Sequence, residues 1–506
     1  MENGRQGKKH KAGDVSRNNV RKRRPDNRHY VSIRERRRRR RHRLFIRRML
    51  VLGAILALLI LTVSLIMASC RHDQKEPEKL KDGNAKLLNQ YYAEFIKDTG
   101  EKKTEFSAWF LKNCGEEAWK KVSGKLKKEE LKDEDFYEIT GKTLHVLSDM
   151  YQGWLKDEQT AAKHHIYLRD GGKEEADLLF AGDVCLEEDD FVLDYYDEVK
   201  KLDQCISPEI LRRTNAADVF LLNHEYCISD RGEPLEGKYY TFRANPNRMK
   251  LIEEMGTDIV SLANNHVYDY GPDAFFDTVD LLDQTGIPYV GGGRNIKEAK
   301  QPVYFVVNGV KIGYVAASRA EITRYTPQAE EDEPGVLLMY ETDELMEVVG
   351  EASAACDFLI AYVHWGTEDS DQFEEYQHEQ AEELLDGGAD VIIGGHPHVL
   401  QGMEYIGGKP VIYSMGDFWF NEETKYNGLL ELKVTGEGLK EMSFVPCQQT
   451  EYTTRHLSEK EEQRELYDYL EELSKGVKIG DDGVICEENG NSDTEEAKTA
   501  GVAAYR

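Results

Sequence analysis

The sequence predicts an α/β domain between residues 176 and 447. Short apolar runs recur along this stretch, each closed by glycine or a polar residue, as in ADLLFAGD (176–183) and ADVIIGGHPH (389–398). Helical stretches such as residues 271–286 and 371–388 lie between several of these runs. Strands that alternate with helices are typical of an α/β fold with buried strands. Roughly 270 residues are ample for a large core.

The first 70 residues have a different composition. Residues 1–48 contain 20 Lys and Arg against 4 Asp and Glu, a net charge of +16. Because the whole chain carries −28, the remaining 458 residues carry −44. Residues 49–70 have no charged side chain, and as a helix they would extend roughly 33 Å, enough to cross a bilayer core. The basic arm beside this span predicts a cytoplasmic N-terminus, with everything after residue 70 on the outer side of the cell membrane.

Two other interpretations of this end of the chain stay open. The arginines of residues 1–48 could bind nucleic acid, but anionic lipid at the inner leaflet explains their position better, so no nucleic-acid partner is expected. IMASC (66–70) loosely resembles the cleavage box of a bacterial lipoprotein, although the long basic arm and apolar core favour an uncleaved anchor. The chain has eight cysteines without metal-finger spacing, and no disulfide is predicted.

Two further segments flank the α/β domain. Residues 71–173 are predicted to form a small membrane-proximal helical module, because aromatic residues recur at three- and four-residue spacing from about residue 87 to 155. Residues 448–506 are charged and contain one helix-like piece, residues 458–476. The polar tail after that piece is expected to be disordered.

Side chains able to bind a metal close the predicted strands. In α/β folds, residues at the carboxyl ends of strands point into one crevice. His396 and His398, two residues apart in a stiff turn, could place both imidazoles there. Two carboxylates, an amide and several imidazoles form a mixed oxygen and nitrogen ligand field that suits Mn, Fe or Zn better than Ca. The strand-end residues are Asp183, Glu225, Asn265, His266, His364, His396 and His398.

Seven segments of this stretch resemble, in the same order, the CapA-type poly-γ-glutamate capsule biosynthesis proteins, a branch of the calcineurin-like metallophosphoesterase superfamily. The resemblance covers most of residues 176–447, and neither residues 1–170 nor the tail. It implies a four-layer fold, a β-sandwich flanked by helices, with a site for two divalent transition-metal ions. The segments are FAGDV (180–184), NHE (223–225), SLANNHVYDYG (261–271), GIPYVGGG (286–293), VHWGTE (363–368), GGHPHVLQGMEY (394–405) and VIYSMGDFWF (411–420).

The resemblance also implies a metal-binding role for six residues. Asp183 and His398 would bind the first metal, and Glu225 would bridge the two ions. The second metal would be held by Asn265, His364 and His396.

Three further roles follow from the same resemblance. His266 would bind no metal but would act as the general acid or transition-state donor, oriented by Asp269. Arg243, in the family-like segment YYTFRANP (239–246), could contact an anionic group of the substrate, although a surface arginine without that role is an equal alternative.

The sequence departs from the wider superfamily at several points. The usual Asp-x-His is here Asp183-Val184-Cys185, so one ligand of the first metal is missing unless the Cys185 thiolate replaces it. Glu225 replaces aspartate at the bridge, Asp417 stands where the branch often has asparagine, and His224 takes a usually apolar place. These differences count against vigorous phosphatase turnover more than against metal binding.

The sequence therefore predicts a single-pass membrane protein whose outer domain acts in the synthesis, export or attachment of an anionic polymer such as poly-γ-glutamate. It would be a metal-dependent hydrolase or transferase, with a polymer synthase as a further partner. Because the outer part is acidic, contact with a polyanion is expected to be local, through the metals and Arg243, Arg319 and Arg324. Two rival functions remain: a non-catalytic assembly subunit that binds the polymer or its synthase, and a phosphodiesterase unrelated to capsule.

Overall fold

Helices and strands alternate through the part of the chain that the computed structural model describes, residues 105–128, 131–169, 171–188, 191–321 and 324–488. In chain order the helices are α1 (Glu105–Lys127), α2 (Glu134–Thr140), α3 (Leu144–Gln152), α4 (Glu158–Lys163), α5 (Phe191–Val199), α6 (Leu202–Cys205), α7 (Pro208–Thr214), α8 (Met249–Glu254), α9 (Gly271–Thr285), α10 (Ile296–Ala299), α11 (Asp343–Ser353), α12 (Glu375–Gly387) and α13 (Lys460–Leu473).

The strands are mostly short, as the apolar runs predict. They are β1 (Ile166–Arg169), β2 (Ala176–Val184), β3 (Val219–His224), β4 (Cys227–Ile228), β5 (Arg243–Ala244), β6 (Ile259–Ser261), β7 (Tyr289–Val290), β8 (Gly292–Gly293), β9 (Val303–Val307), β10 (Val310–Ser318), β11 (Gly335–Val336), β12 (Phe358–His364), β13 (Val391–Gly395), β14 (Met403–Ile406), β15 (Lys409–Ile412), β16 (Asp417–Trp419), β17 (Lys425–Thr435), β18 (Gly438–Thr450), β19 (Thr453–His456), β20 (Val477–Ile479) and β21 (Ile485–Glu487).

Two mixed sheets organise these strands. Sheet A has the order β1-β9-β10-β12-β13-β15-β14, and sheet B has the order β19-β18-β17-β2-β3-β6-β7, with β16 paired to β2. Strands β10, β12, β13 and β15 run parallel in sheet A, and β2, β3, β6 and β7 run parallel in sheet B. The predicted α/β class is confirmed, and the parallel strands of each sheet bring their carboxyl ends to a common edge.

The two sheets share one apolar core. Phe180 of β2 and Tyr314 of β10 are both buried in it, with ring centroids 6.4 Å apart. Helices α5, α7, α8 and α9 cover the outer face of sheet B, and α11 and α12 cover the outer face of sheet A. The layers are therefore helices, sheet B, sheet A and helices. Strands buried on both faces explain the continuous apolar runs in the sequence.

A small helical module precedes the sheets. Helices α1 to α3 pack around their own apolar cluster, which includes Phe110, Val122 and Phe136. Gly115 breaks α1, since its φ of 88° lies outside the helical region. The following strand, β1, lies inside the predicted module of residues 71–173 but pairs in parallel with β9 at the edge of sheet A. The sheet thus begins before residue 176.

The segment after residue 447 also contributes to the sheets. Strand β19 pairs with β18 at the edge of sheet B, and the predicted helix of residues 458–476 is observed as α13. Leu466 and Leu470 of α13 are buried in the core shared by the sheets.

Several predicted segments lie outside the described residues. These are the basic arm (1–48), the membrane span (49–70), the start of the helical module (71–104) and the polar tail after residue 488. Within the described part of the chain, none of the helices combines the length and the apolar character that a bilayer crossing requires.

Candidate metal centre

The carboxyl ends of five strands place the predicted ligands around one point. Asp183 lies near the end of β2, and Glu225 directly follows β3. Asn265 follows β6 after a short turn, His364 is the last residue of β12, and His396 directly follows β13. All five side chains are buried, with at most 5% of each residue exposed. Strand pairing sets this register, because Asp183 lies opposite Asn223 and His364 lies opposite Gly395.

An asparagine amide joins the two carboxylates. The Nδ2 atom of Asn223 donates to Asp183 Oδ1 at 2.8 Å and to Glu225 Oε2 at 3.0 Å. Asn223 is itself held by Asn264, whose Nδ2 donates to the Asn223 side-chain oxygen at 3.0 Å. Both amide protons of Asn223 are therefore directed at carboxylates, which fixes the orientation of both acids.

His364 connects the acids to Asn265. Its Nε2 lies 2.7 Å from Asn265 Oδ1 and 3.3 Å from Glu225 Oε1, and its Nδ1 lies 4.0 Å from Asp183 Oδ1. The two ring nitrogens of one imidazole therefore face three predicted ligands.

The turn after β13 brings His396 and His398 to the same place. Both residues adopt positive φ, 96° and 59°, a backbone conformation that costs energy for a side chain other than glycine. The backbone N–H of His396 donates to Asp183 Oδ2 at 3.0 Å, and the His396 ring centroid lies 4.8 Å from that of His364. His398 Nδ1 lies 2.7 Å from Asp417 Oδ1 and 3.7 Å from Asp183 Oδ2. The strained turn thus aims two imidazoles into one cleft.

The donor atoms of this cluster suit divalent metal ions. Glu225 Oε1 and His396 Nδ1 are buried and make no hydrogen bond within the described residues, although Glu225 Oε1 has the His364 ring nitrogen Nε2 at 3.3 Å. Buried polar atoms usually have a partner, so two orphaned ligand atoms in one cleft indicate a site for a cation. Three sets of side chains bring potential ligand atoms within 4.8 Å of one another: Glu225, His364 and His396; Glu368, His396 and His398; and Asp183, His398 and Asp417.

The pKa values of the clustered side chains also favour a bound cation. Burial, together with the neighbouring Glu225 carboxylate, raises the pKa of Asp183 to about 7. Burial and the Asp417 carboxylate raise the pKa of Glu225 to about 8, although the nearby His398 opposes the shift. Burial lowers the pKa of His398, but the carboxylates of Asp417, Glu225 and Asp183 outweigh it and raise the value to about 10. The buried acids are thus short of positive charge, which a divalent cation supplies.

A second cluster adjoins the first through Asn265. His266 Nδ1 lies 2.7 Å from Asp269 Oδ2, and the His266 ring lies 4.2 Å from the ring of Phe242. Burial lowers the pKa of His266 to about 4, although Asp269 opposes the shift. The buried Nζ of Lys238 lies 2.6 Å from Asp269 Oδ1 and also donates to the backbone carbonyl of Asn265. The predicted acid and its orienting carboxylate are therefore in contact beside the predicted ligands.

Residues 177–422, which contain both clusters, match the model of a family described as bacterial capsule synthesis protein PGA_cap. The matched residues 177–422 are called the PGA_cap domain below, after the model to which they are similar.

The chain is also similar to two proteins named for capsule or PGA biosynthesis. The chain is 29% identical over 276 residues to the capsule biosynthesis protein CapA of Bacillus anthracis, covering 51% of this chain and 66% of that protein. It is 30% identical over 209 residues to the PGA biosynthesis protein CapA of Bacillus subtilis strain 168, covering 40% of this chain and 54% of that one. The chain thus spans between about half and two thirds of the length of these relatives.

A distant similarity to solved structures accompanies these matches. The NAD nucleotidase of Haemophilus influenzae aligns with a TM-score of 0.33 and 13% identity, over 60% of this chain and 63% of that one. A similarity this low supports no conclusion about the PGA_cap domain.

Four residues of the PGA_cap site were not assigned a role from the sequence. Asn223 and Asp417 lie in family-like segments, so the segments indicate the region but not their contacts. Glu368 ends the segment VHWGTE and lies exposed at the cluster, within reach of His396 and His398. Lys238 has no sequence signal at all, because its partners lie far away along the chain.

The remaining predicted residues have defined positions. Arg243 is half-buried, with its guanidinium 4.1 Å from the ring centroid of Tyr270, and it donates to the carbonyl oxygens of Arg231 and Gly232 at 3.2 Å each. Cys185 is buried in the apolar cluster between sheet B and its helices, and it is part of none of the ligand sets among the described residues.

Proposed function

We propose that this protein acts in the biosynthesis of poly-γ-glutamate or a similar anionic capsule polymer, through a dinuclear metal site in its PGA_cap domain. The proposal rests mainly on the convergence of six predicted ligands. Two of them, Glu225 and His396, each have a buried ligand atom that makes no hydrogen bond within the described residues. The capsule assignments of the similar CapA proteins support the biological role. The reaction would be a metal-dependent hydrolysis or transfer step in making, exporting or attaching the polymer.

Each ligand has a place in this proposal. Asp183 and His398 would hold the first ion, with Asp417 orienting His398. Glu225 would serve both ions, and Asn265, His364 and His396 would hold the second. Two divalent ions, of Mn, Fe or Zn, would supply Lewis-acid stabilisation of the charge that develops at a phosphoryl, acyl or amide centre.

The second cluster supplies proton transfer and orientation. With Nδ1 engaged by Asp269, His266 presents Nε2 to the substrate. At a pKa of about 4 the imidazole is neutral and Nε2 carries no proton, so it would donate one to the leaving atom only after the negative charge of a bound substrate has raised that pKa. Phe242 packs on the imidazole and keeps water from that side of the ring. Arg243, on the same segment, binds an anionic group of the substrate.

The proposed location follows from residues 1–70. The basic arm and the uncharged stretch 49–70 would anchor the chain with its N-terminus in the cytoplasm. The PGA_cap domain would then lie outside the cell membrane, where a capsule polymer is handled. A polymer synthase in the same membrane is the expected protein partner.

A second candidate function is a non-catalytic assembly subunit. The observation in its favour is Cys185, which stands where the wider superfamily has a metal-binding histidine and is packed into apolar core. A first metal site without that ligand would be weak, and the domain would then bind polymer or synthase without turnover.

Metal analysis of the purified full-length protein distinguishes these readings. The wild type, a variant with His396→Ala and His398→Ala, and the control His456→Ala on β19 would be purified without chelator, with Mn²⁺ and Zn²⁺ supplied. About two ions per chain, retained in the control and lost in the double variant, support the dinuclear site. A single ion favours the assembly subunit. A metal-free wild type contradicts the ligand assignment.

A further inference from the structure

Three arginines differ from all others in the described residues because they have no carboxylate partner there. Eleven arginines are described, and eight of them form ion pairs within 4.0 Å. In a chain with 94 acidic and 66 basic residues, an arginine without such a partner is unexpected. The three exceptions are Arg243, Arg319 and Arg324.

Each exception rests on a tyrosine ring instead. The guanidinium carbon lies 4.1 Å from the ring centroid of Tyr270 for Arg243 and 3.7 Å from that of Tyr376 for Arg319. For Arg324 the distance to the ring centroid of Tyr325 is 4.3 Å. A guanidinium packed on a ring keeps its N–H groups in its own plane, where those that are not already engaged can bind a carboxylate. Arg243 uses Nη1 for the carbonyl oxygens of Arg231 and Gly232, and Arg324 uses Nη2 for the Tyr325 hydroxyl, so the other N–H groups of each remain for a ligand.

Arg319 is tied directly to the metal centre. Its backbone N–H donates to the carbonyl oxygen of His364 at 2.7 Å. Tyr376, which supports its guanidinium, accepts a hydrogen bond from the Gly366 N–H at 2.7 Å. Because Gly366 is two residues from His364, the arginine and its tyrosine are both fixed to the end of β12, where this ligand lies.

Arg243 and Arg324 adjoin the His266 cluster. Phe242, directly before Arg243, packs against the His266 ring at a tilt of 31°. Tyr325, directly after Arg324, donates to the carbonyl oxygen of Gly237 at 2.6 Å, and Gly237 precedes the buried Lys238.

The position of Arg324 is fixed from its other side as well. Thr326, two residues after it, donates to the Asn265 carbonyl at 3.0 Å. Each of the three arginines is therefore at most two residues from a contact with the centre, and Arg319 makes that contact itself.

We infer that Arg243, Arg319 and Arg324 form an arginine rim that binds successive carboxylates of a linear polycarboxylate and guides the chain to the metal centre. The inference rests on the proposed function, since the rim would serve the same site. Opposite charge favours a polyanion at these positions, while the acidic remainder of the surface repels it. Several weak contacts along one chain add up to a binding strength that a single carboxylate lacks.

Two exposed tyrosines fit the same ligand. Tyr239 and Tyr240 are 87% and 61% exposed, and they lie in the segment between Lys238 and Arg243. Their apolar rings can pack against the methylene groups that separate carboxylates in a γ-linked glutamate chain.

Binding of defined γ-linked glutamate oligomers, about ten residues long, tests the rim. Fluorescence anisotropy would be measured with the full-length protein in chelator, so that neither turnover nor metal contributes. The variants are Arg243→Gln, Arg319→Gln, Arg324→Gln and the triple variant. Arg212→Gln is the matched control, because Arg212 is exposed and paired with Glu209, and the substitution changes the net charge equally. Arg319→Lys keeps the charge but loses the planar group, and thermal melts check that each variant is folded.

We expect each glutamine substitution to weaken oligomer binding by about fivefold, and Arg319→Lys to weaken it measurably. The control should bind as the wild type does, monomeric glutamate should not compete at equal carboxylate concentration, and added salt should weaken binding. Binding that is absent in the wild type, or equal in the folded triple variant and the control, overturns the inference. Tighter binding of polyphosphate than of the glutamate oligomer overturns the polycarboxylate assignment.

The outcome is separate from that of the proposed function. If the His396→Ala and His398→Ala protein binds no less metal than the wild type while the rim variants lose oligomer binding, the metal site fails and the rim stands. If metal binding behaves as proposed and the rim variants bind normally, the rim fails alone.

Discussion

His266 Nδ1 lies 2.7 Å from Asp269 Oδ2, and the other oxygen of the same carboxylate lies 2.6 Å from Lys238 Nζ. The backbone N–H of Phe242 also donates to Asp269 Oδ2 at 2.7 Å. The carboxylate is therefore held by three donors and cannot turn away from the imidazole. This fixes the His266 ring and leaves Nε2 as the ring nitrogen that Asp269 does not engage.

Substitution of His266 tests its catalytic role. We expect His266→Ala to lower polymer production by about a hundredfold or more, because a positioned general acid contributes that much to the rate. Asp269→Asn should lower it less, since the imidazole stays in place but loses its orienting charge. Polymer at the cell surface is measured beside the protein level and the bound metal, both of which should match the wild type. Normal polymer with a folded His266→Ala protein would show that His266 takes no part in the reaction.

Lys238 is predicted to be a major contributor to stability. Its side chain is 3% exposed, and its Nζ lies 2.6 Å from Asp269 and 2.7 Å from Glu321 Oε2. Lys238→Met would leave two carboxylates without their cation, which costs about 3–5 kcal/mol in buried pairs. The free energy of unfolding from urea titration measures this loss.

A surface pair is the control for Lys238. Lys173 lies 2.5 Å from Asp177, but its side chain is 40% exposed, so Lys173→Met should cost less than about 1 kcal/mol. If both substitutions have equally small effects, the Lys238 network does not stabilise the fold.

The convergence of residues at the strand ends could be predicted from the sequence because it depends on a local pattern. Asp183, His364 and His396 each follow a buried apolar run, and parallel strands must end at one edge of a sheet. Convergence of these residues could therefore be predicted without knowing the order of the strands. The order itself could not, since β1 and β19 are short edge strands with polar residues and were placed outside the α/β domain.

Contacts between loops that are far apart along the chain could not be predicted from the sequence. Lys238 is a single charged residue in a loop, and nothing near it indicates burial or the partners Asp269 and Glu321. Asn223 and Asn264 are adjacent to predicted site residues, but an amide can satisfy many partners, so its orientation needs the three-dimensional structure. For Arg243 the sequence indicates a possible contact with an anion. Only the structure shows that this arginine has no carboxylate partner among the described residues.

The shifted pKa values of the proposed metal ligands should make stability depend on pH. In the metal-free protein the pKa of Asp183 is raised to about 7 and that of Glu225 to about 8, while both ionise at ordinary lower values in the unfolded chain. The folded state therefore retains protons that the unfolded chain has lost, so the stability of the metal-free protein falls as pH rises towards 8. The raised pKa of His398 acts in the same direction, because its stabilising charge is lost as pH rises.

Added metal should reverse this loss. A divalent ion must displace the retained protons, so its affinity rises over the same pH window. We expect Mn²⁺ to raise the melting temperature more at about pH 8 than at about pH 6, because the bound state gains stability as the ligands ionise. The variant with His396→Ala and His398→Ala should show no shift at either pH. A shift of equal size at both values would contradict the raised pKa values of the two acids.

Gly395 is predicted to be required for metal binding because a larger side chain would not fit there. The backbone conformation at this position does not itself require glycine. Its φ is not positive, but a Cβ at this position would lie 2.6 Å from Asp183 Oδ1, closer than real contacts allow. Gly395→Ala should displace the Asp183 carboxylate and lower metal affinity by at least about tenfold. The control Gly350→Ala, on α11, meets no atom within 4 Å and should stabilise the helix by up to about 1 kcal/mol. Metal titration followed by thermal melting measures both effects, and unchanged metal affinity in Gly395→Ala would exclude Asp183 as a ligand held in this geometry.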